Sequence, residues 1–116
     1  VNSEDGLDEI SPYTKTNVVQ IKNNEISEII IDPQALEINA DKFENLQGDD
    51  AEFNAKKIID IFKGEDNDFS KAVCLNAAAG LVVSENHTKF IDAYKNAKKH
   101  ILSGKAYKHL ETIQNG

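Results

Sequence analysis

The stretch "TNVVQIKNNEISEIII", residues 16–31, decides the fold class. Two Val- and Ile-rich runs, 16–22 and 25–31, flank Asn23-Asn24. Asn tolerates positive φ, so this arrangement predicts a two-residue primed turn closing an antiparallel hairpin. Ile26 alternates with polar neighbours ahead of "IIID", so one face of the second strand is expected to pack inward. Pro33 lacks a backbone donor and should end the pairing. Residues 33–48 show no clear period and read as irregular or weakly helical, closing at Gly48.

Beyond Gly48 the apolar period becomes helical. Asp49 or Asp50 can cap a helix carrying Ala51, Ala55, Ile58 and Phe62, with Gly64 as its stop. Residues 68–83 are apolar nearly all round, which predicts the central and most buried helix. Gly80 inside it costs about 1 kcal/mol relative to Ala, and points to a tight helix crossing. A third helix should follow Asn86, read as its cap, with Phe90, Tyr94, Ala97 and Ile101 in one stripe and Ile91 and Leu102 beside it. Lys98 and Lys99 near its end suit the macrodipole. Gly104 interrupts, and Ala106, Tyr107, Leu110 and Ile113 mark a short fourth helix. The class is α/β, a hairpin followed by about four helices. Two strands alone make a poor sheet, so the sheet is expected to extend through strands preceding residue 1. The chain, opening on "VNSEDG", reads as a segment of a longer protein.

Composition narrows the function classes. With 116 residues, 40% of them hydrophobic and 28% charged, the chain makes one ordinary globular unit. No apolar run approaches the ~20 residues of a membrane span, and no basic-then-apolar signal opens the chain. A net charge of −7 disfavours nucleic acid as a partner. The first 50 residues hold twelve acids against three lysines, so the acidity lies in that half. It suits either a metal-bound substrate or simple solubility. All 13 basic residues are Lys, which rules out a bidentate guanidinium clamp on phosphate from this segment. The one cysteine, Cys74, sits among small and apolar residues and reads as a buried, inert thiol in a cytoplasmic protein.

Few residues carry a chemical signal. His87, His100 and His109 lack the i, i+4 spacing of a helical zinc site and read as surface histidines. "DND" at 66–68 resembles the start of a calcium loop, but Lys71 and Ala77 occupy that loop's glycine and closing acidic places. "NHT" at 86–88 is a glycosylation sequon without a secretion signal. Asn76, within an apolar helix, needs partners and is expected to bond a neighbouring loop, with a place near substrate as the alternative. Asn54 reads the same way. That leaves Asp8 and Glu9, adjacent carboxylates just after Gly6, with no Lys in the first fourteen residues. They are either a solvated acidic terminus or oxygen ligands waiting for Mg²⁺, which keeps several waters and takes one or two carboxylates plus substrate phosphates.

"DGLDEIS" at 5–11, "NVVQIKNNEISEIIIDP" at 17–33, "FNAKKIIDIFKG" at 53–64, "CLNAAAGLVVS" at 74–84 and "AKKHILSGKAYKHLETI" at 97–113 stand in one order. In that order they resemble the C-terminal third of anthranilate phosphoribosyltransferases of tryptophan biosynthesis. The resemblance covers essentially the whole chain. It implies the C-terminal part of the α/β domain of a nucleoside phosphorylase/phosphoribosyltransferase-like fold. It also implies transfer of the 5-phosphoribosyl group from phosphoribosyl pyrophosphate to anthranilate, with Mg²⁺ required. The family's Gly-Leu-Asp-Glu carboxylates bind the metal, which carries over to Asp8 and Glu9. Their lack of a cationic neighbour then has a reason, since Mg²⁺-pyrophosphate neutralises them.

By the same resemblance the N-terminal helical domain, the glycine-rich diphosphate loop and the basic substrate contacts precede residue 1. The segment is therefore expected to be inactive alone and the full enzyme a homodimer. No catalytic residue is expected here, and no substrate-binding residue can be named. The sequence departs from the family at "ALEI", 35–38, where Glu37 takes a glycine's place, and near Thr14 or Lys15, where a glycine is also replaced. The alternatives are a nucleoside phosphorylase-like or non-catalytic homologue, which would share the layout, and a plain acidic interaction domain.

Overall fold

The structure is a computed structural model that describes residues 1–85 and 89–116. Strands β2 (Thr16–Lys22) and β3 (Glu25–Ile31) pair antiparallel from Thr16↔Ile31 to Lys22↔Glu25. Asn23 and Asn24 take φ of 52° and 63°, the two left-handed residues of a primed turn. The expected hairpin is present. β2 also pairs on its other side with a two-residue strand, β1 (Asn2–Ser3), giving a sheet in the order β1-β2-β3. A strand as short as Asn-Ser carries no period, so nothing in the sequence marks it.

By the pairing register Thr16, Val18, Ile29 and Ile31 share the face toward the helices, where Ile29 is still 44% exposed, whereas Val19, Ile21, Ile26 and Ile30 lie exposed on the other face. Ile26 is thus on the outer face, opposite Ile21. Its alternation with polar neighbours gives the period correctly and the direction wrongly, because "IIID" puts apolar residues on both faces.

Helices α1 (Ala51–Phe62), α2 (Asp68–Val83), α3 (Phe90–Leu102) and α4 (Lys105–Asn115) follow, after a 3₁₀ turn at Phe43–Leu46. Asp50, not Asp49, caps α1, accepting from the Phe53 N–H at 2.8 Å. "DND" is a cap as well. Asn67 accepts from the Ser70 N–H at 2.9 Å while the Asn67 N–H bonds the Ser70 hydroxyl at 3.0 Å, a reciprocal capping box.

The core joins Leu75 and Ala78 of α2 to Ala93, Tyr94, Ala97 and Ile101 of α3, with Ile61 of α1 and Ile10, Ile31 and Ile38 closing the sheet side. The expected α3 stripe is therefore the buried one, although Leu102 beside it is exposed. Three other expectations need correction. In α1 the buried residue is Ile61, while Ala51, Ala55 and Ile58 lie exposed. Of the expected stripe Phe62 packs against the core, while Lys57 in mid-helix lies over the Phe69 ring of α2 at 5.6 Å, so the stripe meets the core at its last position. In α2, Leu75 and Ala78 are 0% exposed but Val73, Ala77 and Gly80 face outward, and Val83 is 81% exposed. The helix is central on one side only. A Cβ added at Gly80 would meet nothing within 4 Å, so among the described residues no helix crosses tightly there. The cap expected at Asn86, with the "NHT" sequon and His87, lies outside the described residues.

Residues 33–38, irregular by pattern, form a helical turn with a defined end. Ile38 N–H bonds Pro33 C=O at 2.8 Å and Glu37 N–H bonds Gln34 C=O at 3.0 Å. This pair of bonds is the Schellman motif, and Glu37 holds its left-handed position at φ 58°. Gly64 holds the same position at the end of α1, where Glu65 and Gly64 bond Asp60 and Ile61 in the same way. Glu37, which by resemblance stands in a glycine's place, therefore adopts the conformation a glycine favours.

Candidate functional site

Asp8 and Glu9 stand exposed in the loop that joins β1 to β2. Gly6, at φ 90°, lets the chain reverse just before them, a conformation strained for any residue with a Cβ. Among the described residues no ion pair involves either carboxylate.

The loop that carries them is fixed from both sides. Toward the sheet, a small buried polar cluster joins its two ends. The Ser3 hydroxyl donates to Glu9 C=O at 2.6 Å and lies 2.6 Å from the Thr16 hydroxyl. Ser11 N–H points at both oxygens, at 3.2 Å each. Asp5 accepts from the Ser11 hydroxyl at 2.5 Å and from Leu7 N–H at 3.2 Å, so it braces the loop. Toward the helices, Asn76 of α2 accepts from Ile10 N–H at 2.9 Å and donates to Ile10 C=O at 3.1 Å. The expectation that Asn76 bonds a neighbouring loop is met, and the loop is the one bearing Asp8 and Glu9. Asn54 does not join it. That amide is exposed and bonds the turn at Asp49, at 2.9 and 3.2 Å.

A second anchor escapes sequence reading altogether. Asp68, 3% exposed, accepts on Oδ2 from the Tyr13 hydroxyl at 3.1 Å, Asp41 N–H at 3.0 Å, Lys42 N–H at 3.4 Å and Asn45 Nδ2 at 2.9 Å. Lys71 Nζ reaches Oδ1 at 3.0 Å. Burial pushes this carboxyl up, but the bonds from Asn45, Lys71, Asp41 and Tyr13 outweigh it and hold it below the usual carboxylate range. Burial and the bond to Asp68 push the Tyr13 phenol up. An acidic residue at the start of a helix normally signals the macrodipole, so its burial is invisible until the loops close over it.

The remaining candidates stay apart from this loop. Cys74 is buried, and burial pushes its thiol up to about 11, as an inert core residue requires. His100 and His109 are exposed. Among the described residues no three His, Cys, Asp or Glu side chains gather as a metal cluster. A groove of about 590 Å³ runs between the sheet and the end of α2, lined by Val18, Ile29, Ala79, Val82 and Phe90, without Asp8 or Glu9. No described helix is long and apolar enough to cross a membrane.

Asp8 and Glu9 offer hard oxygen donors with neither bound to a competing cation among the described residues, which fits Mg²⁺ in kind. Two adjacent carboxylates fill only part of an octahedral shell, so they could hold such an ion only with further ligands from outside this loop.

Comparison with known proteins agrees in order and extent. The chain is 74% identical over 115 residues to an anthranilate phosphoribosyltransferase of Pelagibacter ubique (strain HTCC1062), covering 99% of this chain and 35% of that protein. It is 37% identical over 113 residues to the enzyme of that name from Alkaliphilus metalliredigens (strain QYMF), covering 97% and 33%. The corresponding protein of Priestia megaterium (strain ATCC 12872 / QMB1551) is 36% identical over 116 residues, covering 99% and 34%. The chain thus spans about a third of the length of the curated relatives it matches. Residues 1–107 match the model of the glycosyl transferase family, a/b domain. With nearly its whole length inside that match, the chain belongs to this glycosyl transferase family.

Proposed function

We propose that this chain is the C-terminal third of an enzyme of tryptophan biosynthesis that transfers the 5-phosphoribosyl group from phosphoribosyl pyrophosphate to the amino group of anthranilate. In this reading Asp8 and Glu9 hold its Mg²⁺. The observation that carries it is the 74% identity across 99% of the chain to a protein of that name. The outer sheet face adds support. Val19, Ile21, Ile26 and Ile30 stand exposed there, a pattern suited to a sheet covered on both sides within a larger α/β domain.

Each part of the segment then has a task. Gly6 turns the loop, the Ser3–Ser11–Thr16 cluster ties its ends, and Asp8 and Glu9 present oxygen atoms to solvent at its tip. Loss of pyrophosphate from C1 develops negative charge on the leaving group, which Mg²⁺ when bound would offset electrostatically. The two carboxylates would hold that ion at the loop and leave the rest of its shell to phosphate and water. The reading includes a homodimer and a cytoplasmic setting, where a single free thiol such as Cys74 suits a reducing compartment.

The test is a Mg²⁺ titration of steady-state rates in the full-length protein carrying Asp8→Asn or Glu9→Gln. Both variants should need more Mg²⁺ for half-maximal rate while unfolding like the parent. An unchanged metal dependence in both would remove Asp8 and Glu9 from the site.

A further inference from the structure

Asn76 sits among apolar and small neighbours in the middle of α2, where an amide is costly unless its groups are bonded. One of its bonds is local, Nδ2 to Ala72 C=O at 2.9 Å. The other two go to a single residue 66 positions away, one to each backbone group of Ile10. Burying the Ile10 side chain, which is 1% exposed, would not by itself demand them. Apolar contact holds a side chain in place but leaves its peptide free to rock. Paired bonds to N–H and C=O fix the two peptide planes that flank Ile10, the first of which joins it to Glu9.

The polar cluster at Ser3, Ser11 and Thr16 ties the loop to the sheet. Asn76 ties it to the helical layer. The backbone that carries Asp8 and Glu9 is thereby tied to both layers, while the two side chains stand exposed.

We infer that Asn76 is a positioning residue for the Asp8–Glu9 pair, acting through the Ile10 backbone to preset the two carboxylates for a divalent cation. The inference rests on the metal reading of Asp8 and Glu9 proposed above. Partners that orient metal ligands commonly govern affinity by 10–100-fold. Because Asn76 acts through the main chain and other anchors persist, the low end applies.

The experiment uses the full-length enzyme with Asn76→Ala, Asn76→Ser, Asp8→Asn and Asn54→Ala. Ser can still bond the carbonyl four residues back but is too short to clamp Ile10, so Asn76→Ser carries the test should Asn76→Ala fail to fold. Rates are measured across Mg²⁺ at saturating phosphoribosyl pyrophosphate. Binding of Mn²⁺ in its place is followed by loss of the free-ion EPR signal. Half-saturating Mg²⁺ should rise roughly tenfold, about 1.4 kcal/mol, in the Asn76 variants, with matching loss of Mn²⁺ affinity. Turnover at saturating Mg²⁺ should stay within about threefold of the parent, as expected when binding rather than the chemical step is impaired. Asn54→Ala, an amide lost from the adjacent helix without a link to the loop, should leave both readouts unchanged. If Asp8→Asn weakens Mn²⁺ binding while the Asn76 variants bind like the parent, the positioning role is overturned and the metal reading stands. If Asp8→Asn also binds like the parent, both fall.

Discussion

Removing the Asp68 carboxylate should be among the most damaging single changes in this segment. Four donors converge on its Oδ2, from Tyr13, Asp41, Lys42 and Asn45, and Lys71 meets Oδ1. Asp68→Ala would strand them at a site where the native residue is 3% exposed. Each buried donor left without an acceptor costs about 1–3 kcal/mol, so about 3–5 kcal/mol is expected for the group. Asp68→Asn keeps the shape and can keep one oxygen at the Oδ2 position. It loses the charge and turns an NH₂ toward Lys71, which is free to swing into solvent, so about 1–3 kcal/mol is expected.

The pH dependence has a definite sign. The folded carboxyl titrates below its unfolded value, so its contribution is fully present above an unfolded pKa of about 4. It is lost as pH falls from there toward the depressed folded value. The stability gap between parent and Asp68→Asn should therefore be constant from pH 5 to 7 and narrow below about pH 4. Urea unfolding of the full-length protein across that range measures both effects. An Asp68→Ala variant within about 0.5 kcal/mol of the parent, the range of an ordinary surface substitution, would refute the hub.

Ala78, fully buried between α2 and α3, should not accept a larger side chain. Ala78→Leu is expected to cost about 1–3 kcal/mol by overpacking, read as a lower urea midpoint. Gly80 on the same helix faces open space, so Gly80→Ala should raise stability by about 0.5–1 kcal/mol, and a loss instead would show a close neighbour there. Glu37→Gly should stabilise by up to about 1 kcal/mol by relieving a left-handed backbone, whereas β-branched Glu37→Val should destabilise; thermal unfolding separates the two. The 116-residue chain alone should transfer no phosphoribosyl group and bind Mg²⁺ at best in the millimolar range. Product fluorescence after mixing it with both substrates and Mg²⁺ is the assay, and turnover above the enzyme-free control would contradict it.

Local chemistry made the hairpin and the helices legible. Asn23-Asn24 between two β-rich runs, the run 68–83 and the Phe90–Ile101 stripe each express a short-range rule, and the structure follows them. The motif "GLDE" marks Asp8 and Glu9 as a candidate pair, and the structure adds that both are exposed. What failed was the choice of face. Ile26, the α1 stripe and Gly80 all satisfy a period, but a period does not say which neighbours arrive to cover it. Tertiary packing alone decided that Ile61 rather than Ile58 meets the core, and that α2 is covered on one side only. It also drew a polar residue out of each of two ordinary contexts, Asp68 at a helix start and Asn76 in an apolar helix. One is closed over by loops from residues 13 and 41–45, and the other clamps a loop 66 positions away. Sequence specifies what a segment prefers within a few residues, whereas burial and partnership depend on which distant segments are brought alongside it.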